Sequence, residues 1–381
     1  MNIAIPRDRQ PEERRVALTP RGVRQLVEGG HRVYVEESAG AGCHFPDAEY
    51  LAAGATVVFD EDEPYQRSDL VVRVGAPRGA DLSRLKGGQT LLGFLHLAAA
   101  PTETLRTLLD RRITAIGYEV IEDADGRLPV LTAMSEIAGP LSVQVAAHLL
   151  ESSHGGRGVL LGGAPGIPPA VVVILGAGTV GSTAARTALG LGAQVILLDA
   201  DVDRLRRVQD TLGGRVTTLV ADPPNVERAV GFADALIGAV LIHGRRAPVM
   251  VSRAMIGRMK PGSVLVDLSI DQGGCVESSR PTTLASPTFV SDGVIHYCVP
   301  NMTSAVARTA AQALHNAAFP LIRSIADRGV DEALRELPTL ARGVYTHGGY
   351  LTRAIAADSV GMPAMSIHDA LSRTLIEALR R

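Results

Sequence analysis

The stretch VVVILGAGTVGS places Gly176, Gly178 and Gly181 in a G-x-G-x-x-G spacing that closes one apolar run and opens a helical pattern, with Asp199 ending the next apolar run. Each residue suits a nucleotide. The first glycine allows a tight turn, the second lets backbone approach a pyrophosphate, and the third lets helix and sheet pack closely while the helix N-terminus faces the phosphates. Asp199 can accept both hydroxyls of an adenosine ribose, and its charge repels a 2′-phosphate, so NAD is expected rather than NADP. A glycine-rich turn alone has structural uses; here strand, helix and acid stand in register.

Three other side chains could do chemistry. His96 ends TLLGFLH, read as a strand, at the carboxyl edge where ligands of such sheets sit; the plainer reading is a capped, partly buried histidine. Arg15 follows a Pro-Glu-Glu turn and could sit in a surface ion-pair patch or grip a carboxylate through two parallel hydrogen bonds. Asp271 opens DQGGC directly after SVLVDLSI, as a turn cap or as a carboxylate beside a nicotinamide. Residue type alone leaves each of these open.

The elements that must position them alternate. NIAI, HRVYVEE, DLVVRV, TLLGFLH and AIGYEVI are short, rich in branched residues and bounded by Gly, Asp or Pro, which predicts strands at 2–5, 31–37, 69–74, 90–96 and 115–121. Helical patterns lie between them, with Thr19 and Thr102 expected as caps, Pro20 in the first turn and Gly29-Gly30 as a stop. Further strands are expected at 235–242 and 263–270. The fold class is α/β: two doubly wound Rossmann-like domains with parallel sheets and a cleft between them. SSHGGRGVLLGGAPGIPPA, at 152–170, reads as a Gly/Pro-rich hinge region.

With 381 residues and 46% apolar composition the chain can fill two cores. A net charge of −2 gives no reason to expect nucleic acid or an anionic membrane as partner. Cys43, Cys275 and Cys298 lie far apart without C-x-x-C spacing, which argues against a disulfide framework and a zinc knuckle, so no metal is expected and a reducing cytoplasm is. The N-terminus meets charge before any signal-like apolar run, and no stretch reaches the about 18 uninterrupted apolar residues of a membrane span. At the far end, Ile367, Leu371, Leu375, Ile376 and Leu379 recur at helical spacing within 362–381, for packing on the chain's own domain or for a subunit contact.

RRVALTPRGV, FLHLAA, MSEIAGP, GGRGVLLGGAPGIPPA, VVILGAGTVG, VDLSIDQGGC, ESSRPTT and HYCVPNM together resemble the alanine dehydrogenase family, relatives of the soluble nucleotide-binding subunit of proton-translocating transhydrogenase. The resemblance implies a split substrate domain, 1–130 plus 307–381, and a central NAD domain, 131–306. It implies reversible oxidative deamination of L-alanine to pyruvate and ammonium by a homo-oligomer, a hexamer or alternatively a dimer. Arg15 would bind the substrate carboxylate, His96 would act as acid and base, and Asp271 would be the second catalytic group. Gly176, Gly178, Thr179, Val180, Gly181, Asp199, Arg204, Val240, Leu241, Leu268, Ile270, Arg280, Asn301, Met302 and Ser135 would line the NAD site.

The chain departs from the family pattern at the end of VVRVGAPRG. A family lysine that contacts the substrate's carboxylate or oxo oxygen is here Gly75, and the neighbouring glutamate is Ala76. Pro140 stands where an arginine is expected, and NMTSAVAR replaces a pattern closer to NMPGAVPR. Losing one well-placed donor typically costs on the order of 10² to 10³ in rate. Arg73 is a possible substitute, because alternation puts residues 73 and 75 on one face, about 7 Å apart. The alternative, which the paired loss of that lysine and glutamate favours, is that the vacancy makes room for a larger or differently charged substrate, such as another 2-oxo acid or a preformed imine. A catalytically silent NAD(H)-binding protein and a subunit docking on a membrane transhydrogenase are the readings from other classes.

Overall fold

The computed structural model describes residues 1–10, 12–242, 246–357 and 361–380. The chain divides into two compact units, Met1–Met134 with Val306–Arg381, and Ser135–Ala305. The boundary falls inside the long helix Pro129–Leu149.

The first unit is built on an eight-stranded sheet of order β15-β14-β6-β5-β4-β1-β2-β3. Its strands are β1 (Asn2–Ile5), β2 (Arg32–Glu36), β3 (Thr56–Val58), β4 (Leu70–Gly75), β5 (Thr90–Phe94), β6 (Thr114–Gly117), β14 (Val344–His347) and β15 (Tyr350–Leu351). β1 to β6 are mutually parallel, and β14 and β15 add an antiparallel edge supplied by the far end of the chain. The second unit carries β7 (Val171–Leu175), β8 (Gln194–Asp199), β9 (Thr217–Val220), β10 (Ala235–Gly238), β11 (Val264–Asp267), β12 (Thr288–Ser291) and β13 (Val294–Tyr297). Their order is β12-β13-β11-β10-β7-β8-β9, with only β12 antiparallel.

Six strands in each sheet follow the doubly wound order, with β1 beside β4 and β7 beside β10 where the winding reverses. Ligands of such sheets sit outside the carboxyl ends of the strands at that reversal. The antiparallel edges were not foreseen from sequence: β14 and β15 are too brief to show a period, and β12 is exposed at Val290.

Buried Val71, Leu91, Leu105, Leu108, Ile113 and Tyr345 share the first unit's core, and Val173, Leu198, Val230, Leu236 and Leu265 the second's. A strand covered on both faces has no polar side, which explains why β4 and β5 read as unbroken buried runs. The helix Pro20–Glu28 has Thr19 at its cap without a side-chain hydrogen bond, so that expected cap is absent, while Pro20 opens the helix and Gly30 follows it with φ +85°. The helix Thr102–Asp110 includes Thr102 as its first residue, with Pro101 in the position before it and no side-chain cap hydrogen bond from Pro101. The C-terminal helix Ile367–Leu379 docks on the first unit through buried Leu371 and through Glu377, which meets Arg112 at 2.5 Å, while Leu375, Ile376 and Leu379 stay exposed.

Among the described residues, one helix, Pro129–Leu149, is long and apolar enough to cross a membrane. Glu136 and Gln144 interrupt it, and Gly139 packs so tightly on the helix Thr179–Gly190 that a Cβ there would lie 2.1 Å from Thr183 Oγ1. Pro140 sits inside this helix, where it removes one backbone donor. All three cysteines are free and buried, and burial pushes the Cys43 and Cys298 thiols up to about 11.

Candidate functional site

In the first unit the loops after β1, β4 and β5 leave the carboxyl edge at the winding reversal. β5 ends at Phe94, two residues before the expected boundary, so His96 stands in the following loop. Its φ of +45° is unusual for a residue with a side chain, and the ring is exposed, stacked on Phe94 with centroids 6.3 Å apart. The loop is held from below. Glu119 accepts the backbone N–H groups of Leu95 at 3.0 Å and His96 at 2.8 Å, and Tyr345 Oη donates to the same carboxylate at 2.9 Å. Gly117 permits this, because a Cβ there would lie 2.5 Å from the Tyr345 ring and 2.7 Å from Glu119 Oε1.

Arg15 is buried and paired with an equally buried Glu13, Nε to Oε1 at 2.8 Å and Nη2 to Oε2 at 2.6 Å. Its Nη1 faces Met134 Sδ at 3.6 Å. The guanidinium is thus fixed by one fork, and that fixed plane is what bidentate carboxylate recognition needs.

Gly75 ends β4. Its N–H donates to Asp8 Oδ2 at 2.9 Å, and a Cβ on it would lie 2.4 Å from Gln10 Nε2 and 3.3 Å from Asp8 Oδ2. The space a side chain at 75 would enter is therefore held by the Gln10 carboxamide, whose nitrogen donates to Ala76 O at 3.0 Å. Sequence reading missed Gln10 and Asp8, since their partners lie more than 60 residues away.

Arg73 does not stand in for the missing lysine. The strand pairing slips between Val72 and Gly75, where three steps on β4 match two on β5. The Arg73 side chain is 1% exposed and committed to Asp81 at 2.8 Å, to the Tyr65 hydroxyl and toward Asp8 at 3.5 Å. Asp81 in turn takes Arg84 at 2.9 Å and Arg9 at 3.5 Å. Burial disfavours the Arg73 charge, but Tyr65, Asp8 and Asp81 outweigh it and hold the guanidinium protonated. This is an internal ion cluster with no cation to spare.

In the second unit the glycine loop lies between β7 and β10. Gly176 has φ +103°, and a Cβ on it would meet Ala239 O at 2.4 Å. A Cβ on Gly181 would lie 1.8 Å from Gly176 O, so this glycine is demanded by helix-sheet packing. Gly178 is different: a Cβ there meets nothing within 4 Å. Open space over a glycine at the start of the helix Thr179–Gly190 fits a pyrophosphate on the backbone of Gly178, Thr179 and Val180. Asp199 ends β8, 9% exposed, where Oδ2 accepts the Ala177 N–H at 2.6 Å and Oδ1 the Asp201 N–H at 2.8 Å. Arg204 lies 4.0 Å from it.

After β10, Val240 exchanges two hydrogen bonds with Ser269, at 3.0 and 2.9 Å, and Leu241 is exposed. β11 ends at Asp267, and Leu268–Gln272 is a 3-10 turn rather than the strand expected to residue 270, with Leu268 half-buried and Ile270 buried. Asp271 lies exposed on that turn and accepts the Asn301 N–H at 3.2 Å, with Asn301 at φ +56°. Met302 is buried beyond it, Arg280 covers the Phe289 ring at 4.4 Å, and Ser135 is half-buried one helical turn before Gly139. The carboxylate that anchors this segment is Asp267, which sequence reading passed over as a strand residue. It accepts the N–H groups of Ser269 and Cys275, both at 3.0 Å, and Ser279 Oγ at 2.6 Å. Burial pushes its pKa up, against those donors.

Residues 4–138 match the family model described as "Alanine dehydrogenase/PNT, N-terminal domain" and residues 142–354 the corresponding C-terminal domain. The chain is 47% identical over 362 residues to an alanine dehydrogenase of Halomonas elongata, covering 95% of this chain and 97% of that one. A solved L-alanine dehydrogenase matches with a TM-score of 0.90 at 44% identity, over 95% of this chain and 99% of the other. A transhydrogenase structure from Sinorhizobium meliloti matches with a TM-score of 0.79 at 25% identity, over 93% and 99%.

Proposed function

The chain belongs to the alanine dehydrogenase/PNT family, and on that premise we propose that it catalyses the NAD-dependent oxidative deamination of L-alanine to pyruvate and ammonium, and the reverse. The observation that carries this reading is the open space over Gly178, set between Gly176 and Gly181 at the winding reversal with Asp199 at the next strand end. Bound there, NAD supplies the acceptor for hydride. The greater identity to dehydrogenases than to the transhydrogenase favours this over a membrane-docking subunit.

The chain's own residues are assigned as follows. Arg15, fixed by Glu13, binds the substrate carboxylate and sets which face of the α-carbon is presented. As hydride leaves the α-carbon, the amine becomes an iminium. His96 takes a proton from the water that attacks that carbon and returns one as the amine leaves, the work for which an imidazole is suited at neutral pH. Asp271 stabilises the positive charge and orients water or ammonia. Gly178, Thr179 and Val180 receive the pyrophosphate, and Asp199 the adenosine ribose. Val240, Leu241, Leu268, Ile270, Arg280, Asn301, Met302, Arg204 and Ser135 complete the NAD site.

Gln10 takes over part of the task of the family lysine. Its carboxamide lies over Gly75, so the space left by the lysine is filled by a neutral group rather than opened to a larger acid. The carboxylate grip then rests mainly on Arg15, and pyruvate affinity is the quantity that suffers. A cytoplasmic homo-oligomer is part of this reading, with the exposed apolar residues of the helix Ile367–Leu379 as one candidate contact.

L-Alanine deuterated at the α-carbon tests the proposal. It should yield pyruvate, ammonium and deuterated NADH in equal amounts; NAD binding without deuterium transfer would instead mark a silent nucleotide-binding protein.

A further inference from the structure

We propose that His148, Glu151 and His154 form a surface site for a divalent transition-metal ion of the zinc or nickel type. The three lie where the helix Pro129–Leu149 ends and the hinge-like segment begins. His148 lies in the last turn of the helix, and Glu151 follows three residues later with extended backbone, at the start of the next turn. The helix stops at Leu149, and the 3-10 turn Ser152–His154, closed by Gly155 at φ +79°, folds back to bring His154 onto His148. The two imidazole centroids stand 3.8 Å apart, and one ligand atom from each of the three residues lies within 4.8 Å of the others.

The separations favour coordination over hydrogen bonding. His148 Nδ1 is 3.5 Å from Glu151 Oε1 and His154 Nδ1 is 3.6 Å from Oε2, both long for hydrogen bonds. Two ligand atoms on one tetrahedral zinc, at bonds of about 2.0–2.1 Å, stand about 3.3 Å apart. Ser153 Oγ, 3.2 Å from His154 Nδ1 and 3.3 Å from Glu151 Oε2, is placed to orient these ligands or a metal-bound water. The carboxyl end of a 21-residue helix adds the negative end of its dipole. Imidazole and carboxylate ligands select zinc, nickel, cobalt or copper over magnesium and calcium.

An ion here would tie the helix end to the turn that leads into Gly156–Arg157, where the Gly156 N–H already bonds to Glu151 O at 3.1 Å and the Arg157 N–H to Gly262 O at 3.1 Å. None of these residues is assigned to NAD or substrate, so the site is independent of the catalytic reading.

Tag-free protein, stripped with chelator, is titrated calorimetrically with Zn²⁺ and Ni²⁺ alone. The expected result is one ion per chain, a raised melting temperature with metal, and an affinity reduced about tenfold or more in His148→Ala and in His154→Ala. All three side chains are exposed, and unchanged melting of the metal-free variants shows that they fold. Absence of binding, or binding that persists undiminished in the His148→Ala/His154→Ala double variant, overturns the proposal.

Discussion

The Glu119 carboxylate accepts the backbone N–H of His96 at 2.8 Å and so sets the loop from which the proposed acid–base ring projects. Glu119→Gln leaves one fewer anionic acceptor for two N–H donors and the Tyr345 hydroxyl. A stability loss of about 1–3 kcal/mol is expected, and misplacement of the ring should lower kcat by roughly 10- to 100-fold. Kinetics and thermal melting of the same sample test this. A fall in melting temperature with unchanged kcat would make Glu119 purely structural.

The two glycines Gly178 and Gly181 should separate in their effects. Gly181→Ala drives a Cβ into Gly176 O and should destabilise the fold by about 1–3 kcal/mol. Gly178→Ala meets no protein atom, so its melting temperature should stay, while NADH affinity falls by about tenfold or more, at least about 1.4 kcal/mol. Fluorescence titration of NADH alongside melting curves distinguishes the two.

Arg15→Lys keeps a charge but breaks the fork with Glu13. The expected outcome is a raised KM for pyruvate with a smaller change in kcat, because the lost contact is to a group that does not react. Glu13→Ala is the harsher change: it removes the carboxylate that takes both Nε and Nη2 of a buried guanidinium and should cost about 3 kcal/mol of stability.

Acid should weaken the fold through buried histidines. Burial, helped by Arg21, depresses His315 to about 4, and burial also lowers His296 and His347. His315 lies against Gly22 and Phe319, sharing a cavity with Arg21 and Glu49. The unfolded chain takes up a proton near pH 6.5 and the folded one only near 4. Stability from the neutral ring is therefore complete above about pH 6.5 and falls as pH drops toward 4, by about 3 kcal/mol for His315. Melting curves of His315→Leu between pH 7 and pH 4.5 should show a shallower decline than the parent.

Much of the fold and part of the site were legible in the sequence, for physical reasons that differ by residue. Parallel strands buried on both faces leave continuous apolar runs, and a nucleotide loop needs glycine at fixed offsets, so β7, its glycines and Asp199 can be read locally. His96 lies in a loop rather than at the expected strand end, since a positive φ two residues past a strand leaves no trace in composition. Arg73 misled because its guanidinium is committed to Asp81, Asp8 and Tyr65, a pairing that side-chain alternation along one strand does not show. Glu119, Asp267, Glu13 and Gln10 hold other residues in place, and nothing in a linear chain shows which loop a carboxylate or carboxamide will meet.

The Gln10 assignment predicts an asymmetry. Gly75→Lys displaces the flexible end of Gln10 and shifts the Asp8 carboxylate by a few tenths of an ångström, so the protein should fold, and with Gln10→Ala it should raise kcat/KM for pyruvate by on the order of 10². No gain from the double variant would mean that the grip on pyruvate does not depend on a cation at that strand end.

The central claim is tested most directly by NADH consumption with pyruvate and ammonium, set against larger 2-oxo acids at equal enzyme, for the parent and His96→Ala. The prediction is that pyruvate is the preferred acid and that turnover collapses in His96→Ala while NADH binding persists. Turnover confined to a larger acid, or undiminished in His96→Ala, would contradict it.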